Sequence, residues 1–139
     1  MKYLKFFEDY KFHEDKYGVS YSFTYEGFTF DVFFQRYPGN VYERRYKDRK
    51  DDTYTSLINK NPFVLIKQVT NITKEFLEEY KPDKLIIKHE GFNKNLKPDE
   101  LNSRAKLNYR YLKNIKGYSF NYSNSISLPG VTILTLEKI

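Results

Sequence analysis

The residues with the most obvious chemistry fall in one short run. From 41 to 52 the chain reads VYERRYKDRKDD, so Arg44, Arg45, Lys47, Arg49 and Lys50 follow one another, with Tyr42 just before them and Tyr46 among them. Cations neutralise phosphates and aromatic rings stack on bases, so this mixture suits a polyanion such as single-stranded nucleic acid. Glu43, Asp48, Asp51 and Asp52 dilute the charge. The same run therefore also reads as a solvated loop or strand end. Two histidines stand beside glutamates, in His13-Glu14-Asp15 and His89-Glu90-Gly91. A His-Glu pair can ligate a metal or move a proton. These two pairs lie far apart and share no recognised ligand spacing, so surface hydrogen bonding is the expectation and no metal site is predicted. The chain has no cysteine, which removes thiolate nucleophiles, thiolate metal ligands and disulfides.

The whole chain bounds these choices. Its 139 residues correspond to one domain with room for a real core. The net charge of +6 permits weak attraction to acidic partners without demanding it. No apolar run reaches membrane-spanning length, and charges interrupt MKYLKFFEDYKF too early for a signal peptide. A soluble protein with no membrane contact is expected. There are 14 Tyr and 12 Phe. Phe must fill much of the core. Surplus Tyr suits a protein interface, where a rigid amphipathic ring gives large contact area at low entropy cost.

Periodicity then sets the elements. VSYSFTY (19–25) alternates Val19, Tyr21, Phe23 and Tyr25 with small polar residues. FTFDVFF (28–34) does the same with Phe28, Phe30, Val32 and Phe34, across a turn at Glu26-Gly27. This pair is the strongest hairpin in the chain. After a second turn at Pro38-Gly39-Asn40, VYERRY (41–46) can form a third strand, polar enough for an exposed face or an edge. TYTSLI near 54–58 offers a further short strand. Asn61 caps, and Pro62 opens, a helix whose stripe is Ile66, Val69, Thr73, Phe76 and Tyr80, ended by Pro82. KLIIKH (84–89) is a short apolar strand that should run parallel to the one before the helix. A second helix over roughly 99–115 buries Leu101, Ala105, Leu112 and Ile115 and closes at Gly117. YSFNYS and VTILTLE make two last strands. Residues 1–18 form an N-terminal extension, either a short helix or an edge element, before a core of 19–139. The fold class is α+β: a single mixed, mostly antiparallel sheet with two main helices, in the order β-β-β-(β)-α-β-α-β-β.

That order resembles the later part of the GNAT-type N-acetyltransferase fold. The second helix carries Asn102, Ala105 and Tyr109 at the family's Asn-x-x-Ala-x-x-x-Tyr spacing, followed by Gly117-Tyr118. The chain also looks like small phage proteins with a similar Ser-Arg-x-Lys-Leu helix. The family resemblance implies acetyl-CoA as cofactor. Tyr109 would then protonate the departing thiolate, Lys60 and Asn61 would lie near the phosphates, and Asn102 would lie along the cofactor. The family's cofactor loop is Gln/Arg-x-x-Gly-x-Gly/Ala, whose glycines let backbone N–H groups approach a pyrophosphate. The equivalent stretch, LINKNPFVLIKQ (57–68), has no glycine. Position 108, normally apolar or aromatic in the family, is Asn.

The sequence therefore favours a non-catalytic protein of the phage type, without a cofactor. It would work through a viral or host protein partner, in a virion or the host cytoplasm. A divergent acetyl-CoA-dependent N-acetyltransferase is the alternative. A nucleic-acid-binding accessory protein using Arg44, Arg45, Lys47, Arg49 and Lys50 is the second.

Overall fold

A computed structural model describes residues 11–25, 28–48, 62–89, 103–124 and 131–139. The alternating segments become strands of one sheet: β1 (Lys11–Asp15), β2 (Gly18–Tyr25), β3 (Phe28–Tyr37), β4 (Val41–Asp48), β5 (Lys84–His89), β6 (Tyr118–Asn124) and β7 (Thr132–Lys138). Two helices join them, α1 (Pro62–Tyr80) between β4 and β5 and α2 (Ser103–Leu112) between β5 and β6. The strand order is β1-β2-β3-β4-β5-β7-β6. Only β4 and β5 are parallel; every other neighbouring pair is antiparallel. Parallel neighbours need a crossover, and α1 supplies it. The fold is α+β, and the described residues form a single mixed sheet of seven strands with two helices.

The core lies on one face of this sheet. Val19, Tyr21 and Phe23 of β2 and Val32 and Phe34 of β3 are completely buried, as their period-two spacing requires. Leu85 and Ile87 of β5 and Leu134 and Leu136 of β7 continue that face. Helix α1 lays Ile66, Val69, Ile72, Phe76 and Leu77 onto it. Phe76 is the centre of an aromatic stack. Its ring lies flat on Phe34 at 3.9 Å, meets Tyr42 edge-on at 5.0 Å and contacts Tyr80 at 5.2 Å. Helix α2 adds Ala105 and Leu112.

Several expectations change. Of the two readings of the N-terminal extension, residues 11–15 take the edge element rather than the helix, pairing with β2 as part of the sheet. Strand β4 is the fourth of seven rather than an edge. Helix α2 ends at Leu112 rather than near 115, and a turn follows it, with the Lys113 N–H bonded to the Tyr109 carbonyl. The turn at Glu26-Gly27, the segment 54–58, the cap at Asn61, and Pro98 to Leu101 lie outside the described residues.

Side chains fix the sheet at the β1–β2 end. Asp15 Oδ1 accepts hydrogen bonds from the backbone N–H of Tyr17 at 2.8 Å and of Gly18 at 3.2 Å. The bond from Tyr17 holds this exposed carboxyl below its ordinary range. The turn is thus favoured above the ordinary aspartate pKa and loses that support as the pH falls through the lowered one. Glu14 reaches across to α1, accepting from the Tyr80 hydroxyl at 2.7 Å, and also contacts Arg36 at 3.5 Å. Burial, then the Glu14 bond, push the Tyr80 phenol upward.

Gly18 has φ +152, and a Cβ there would lie 2.1 Å from the Phe34 carbonyl oxygen. Gly39 has φ +82 with open space around it. Gly18→Ala should therefore cost at least about 2 kcal/mol, from backbone strain plus a clash with β3. Gly39→Ala should cost only about 1 kcal/mol, from the left-handed backbone alone. Urea unfolding of the two variants checks the ranking, and equal losses would contradict it.

Candidate functional site

In sheets with parallel strands, ligands bind beyond the carboxyl ends of those strands, where neighbours part. The parallel pairing of β4 and β5 runs from Val41 opposite Lys84 to Arg44 opposite Ile87. Past that point β4 continues against β3 alone, with Arg45 opposite Phe33 and Asp48 opposite Phe30. Strand β5 continues against β7 alone, with Lys88 opposite Ile133. The pairing of β4 with β5 ends at Arg44 and Ile87.

Charged side chains occupy both faces of the sheet at this point. On the helix side Arg44 is only 3% exposed. Its Nη1 donates to Thr73 Oγ1 of α1 at 2.9 Å, and its Nη2 donates to Asn108 Oδ1 of α2 at 3.0 Å. Thr73 Oγ1 donates in turn to the Val69 carbonyl at 2.8 Å. Thr73 and Asn108 are buried as well. One planar guanidinium thus bridges the central strand and both helices through charge-assisted bonds. On the opposite face Glu43 is 5% exposed. It pairs with Lys88 Nζ at 3.1 Å across the strand boundary and with Arg45 Nη2 at 3.1 Å along its own strand. The nearby Glu43 carboxylate raises the Arg45 pKa.

Strand alternation separates the basic run. Arg44 points into the core and Arg45 to the other face, where it is exposed. Arg44 is therefore no exposed phosphate contact; its donors are turned to Thr73 and Asn108. Lys47 sits in β4 opposite Asp31. Arg49 and Lys50 lie outside the described residues, as do Lys60, Asn61 and Asn102.

Tyr109 is placed by the same helix. Residues 105, 108 and 112 form the buried stripe of α2, so Tyr109 is rotated away from Arg44. Its ring meets Phe120 edge-on at 5.2 Å and Tyr122 at 6.2 Å, both on β6. The side chain of α2 that faces the β4–β5 boundary is Asn108, while Tyr109 faces the sheet edge. His13 is exposed, with its Nε2 3.4 Å from Asp15. The neighbouring Glu14 is engaged by Arg36 and Tyr80 instead. Among the described residues no group of three or more His, Cys, Asp or Glu could hold a metal. No helix among them is long and apolar enough to cross a membrane.

Asn108 is the residue that the sequence reading missed. Its signal was a polar side chain on the buried stripe between Ala105 and Leu112. Arg44 carried the same signal, one alternation from Tyr42.

Removing Asn108 takes an acceptor from a buried cation, which costs roughly 2–3 kcal/mol. Asn108→Ala should lower stability by that amount, and Arg44→Met should cost as much or more. The pair combined as Arg44→Met/Asn108→Leu should be less destabilised than the sum of its single changes, by about 1 kcal/mol or more. Chemical denaturation of the cycle checks this; strict additivity would show that the two side chains are uncoupled. No protein-family model, curated protein or solved structure matches the chain.

Proposed function

We propose that this chain is a non-catalytic binding protein built on an acetyltransferase-like scaffold, acting through contacts with a viral or host protein. One observation carries the reading. The β4–β5 boundary, where a transferase would need a channel for the cofactor arm, holds the buried Arg44–Thr73–Asn108 network on one face and the Glu43–Lys88–Arg45 pairs on the other. A thioester arm entering between them would strip a buried cation of its acceptors, and that is costly. The phenol that should serve as acid packs against β6. Exposed tyrosines agree with a contact surface. Tyr17 and Tyr37 stand at one end of the sheet, where the Arg36 N–H bonds to the Tyr17 carbonyl.

A divergent acetyl-CoA-dependent N-acetyltransferase is the second reading. It is favoured by the end of pairing at Arg44 and Ile87 within the order β1-β2-β3-β4-β5-β7-β6.

Calorimetric titration with acetyl-CoA separates the two. The binding reading predicts no heat of binding at millimolar cofactor, for the native chain and for Lys60→Ala alike. Saturable binding that weakens in Lys60→Ala, with turnover lost in Tyr109→Phe, would replace it with the enzyme.

A further inference from the structure

At the opposite end of the sheet from the β4–β5 opening lies a groove of about 650 Å³. It runs between the C-terminal ends of α1 and α2, beside the start of β6 and the end of β7. Leu77, Tyr111, Ile115 and Tyr118 give it apolar and aromatic walls, all four packed on or within the core. Tyr118 is fixed by donating its hydroxyl to the Pro82 carbonyl at 2.9 Å. Lys74, Lys81 and Lys116 line the same groove, and none has an ion-pair partner among the described residues. Lys138 also lines it but is neutralised by Asp83 at 3.0 Å. Glu78 lines it too, so among the lining side chains three lysines without an ion pair stand against one glutamate.

The end of α1 would oppose an anion through its carbonyl groups. One of those, and the carbonyl just past the helix, are already engaged. The Leu77 carbonyl accepts the Lys81 N–H, and the Lys81 carbonyl accepts from Asn40 Nδ2 and Lys138 Nζ.

We propose that this groove docks an acidic peptide segment of a partner protein, one that carries an aliphatic or aromatic anchor. The inference rests on the binding reading above and names the partner's chemistry. The groove is about half open to solvent, whereas a small acid is ordinarily held in a pocket that encloses most of its surface. An extended chain uses an open groove, burying one or two anchors against the tyrosines while its carboxylates meet the lysines.

A random dodecapeptide library displayed on its encoding nucleic acid, selected against the full chain, tests this. Enriched sequences should be acidic with an apolar or aromatic residue. A synthesised winner should bind more weakly as salt rises. In Lys74→Glu/Lys116→Glu its affinity should fall about tenfold or more, with an unchanged circular dichroism spectrum. Lys74→Gln/Lys116→Gln should show a smaller loss, and Lys74→Arg/Lys116→Arg should retain binding. No enrichment, enrichment of basic or uncharged sequences, or affinity indifferent to both the Glu and Gln variants would overturn the proposal. Mononucleotide and laurate titrated in parallel should bind no more tightly than the winning peptide; lysine-dependent binding of either without peptide enrichment would make the groove a small-anion site. Acetyl-CoA titrated into the same variants keeps the two proposals apart. Its binding would sink the non-catalytic reading and leave the groove result standing, while failure of the library would sink the groove alone.

Discussion

The arrangement depends on a cation placed where a hydrophobic residue would ordinarily stand. Arg44 occupies an inward position of the central strand, between two helices, at 3% exposure. Burying a guanidinium is costly unless its donors are satisfied, so the cost becomes a geometric constraint. Thr73 must come from one helix and Asn108 from the other, each at about 3 Å from its own nitrogen. A lysine could not meet both in this way, because its single ammonium lacks the planar fork. The separation of α1 from α2, and the seat of both on β4, are tied to one side chain.

Strand β4 shows how a polar sequence can sit in the middle of a sheet. Its alternation sends Tyr42 and Arg44 to the helices and Glu43 and Arg45 to the other face. Tyr42, Arg44 and Glu43 then find partners on neighbouring elements. Glu43 is satisfied by Lys88 from β5 and Arg45 from β4 itself. Next to this polar band the core turns aromatic, with Phe34, Phe76 and Tyr80 in consecutive contact. Polar satisfaction fixes one end of the α1 contact and ring stacking fixes the other. The two ends of the sheet also differ in character: at one, Glu43 pairs with Lys88 and Arg45 beside the Arg44 network, while at the other Lys74, Lys81 and Lys116 have no ion-pair partner among the described residues around an apolar groove.

Much of this fold was legible from period alone. The alternation of Val19, Tyr21 and Phe23 with Ser20, Ser22 and Thr24 gave β2 and its buried face, and the three-and-four spacing of Ile66, Val69 and Phe76 gave α1. The parallel direction of β5 followed from the crossover, with β4 as its partner, while the segment 54–58 lies outside the described residues. Local pattern failed where tertiary pairing decides. VYERRY reads as an exposed or edge strand because nothing in it announces that Thr73 and Asn108, 29 and 64 residues on, will accept from Arg44. β1 stood open between a short helix and an edge element, since all five of its residues are exposed and only pairing with β2 decides it. The residues proposed for a site were scattered for the same reason. Tyr109 and Asn108 are neighbours in sequence, but a helix turns them to different elements, and which one meets β4 depends on how α2 is seated.

Native-state amide hydrogen exchange on Arg44→Met tests the central claim, that this one side chain holds both helices to the sheet. In the native protein the buried amides of α1, α2 and β4 should exchange together, in a single slow unit. In the variant, α1 and α2 should both lose protection relative to β2 and β3, and by similar factors. Loss confined to one helix, or protection of both that follows only the global stability, would contradict the claim.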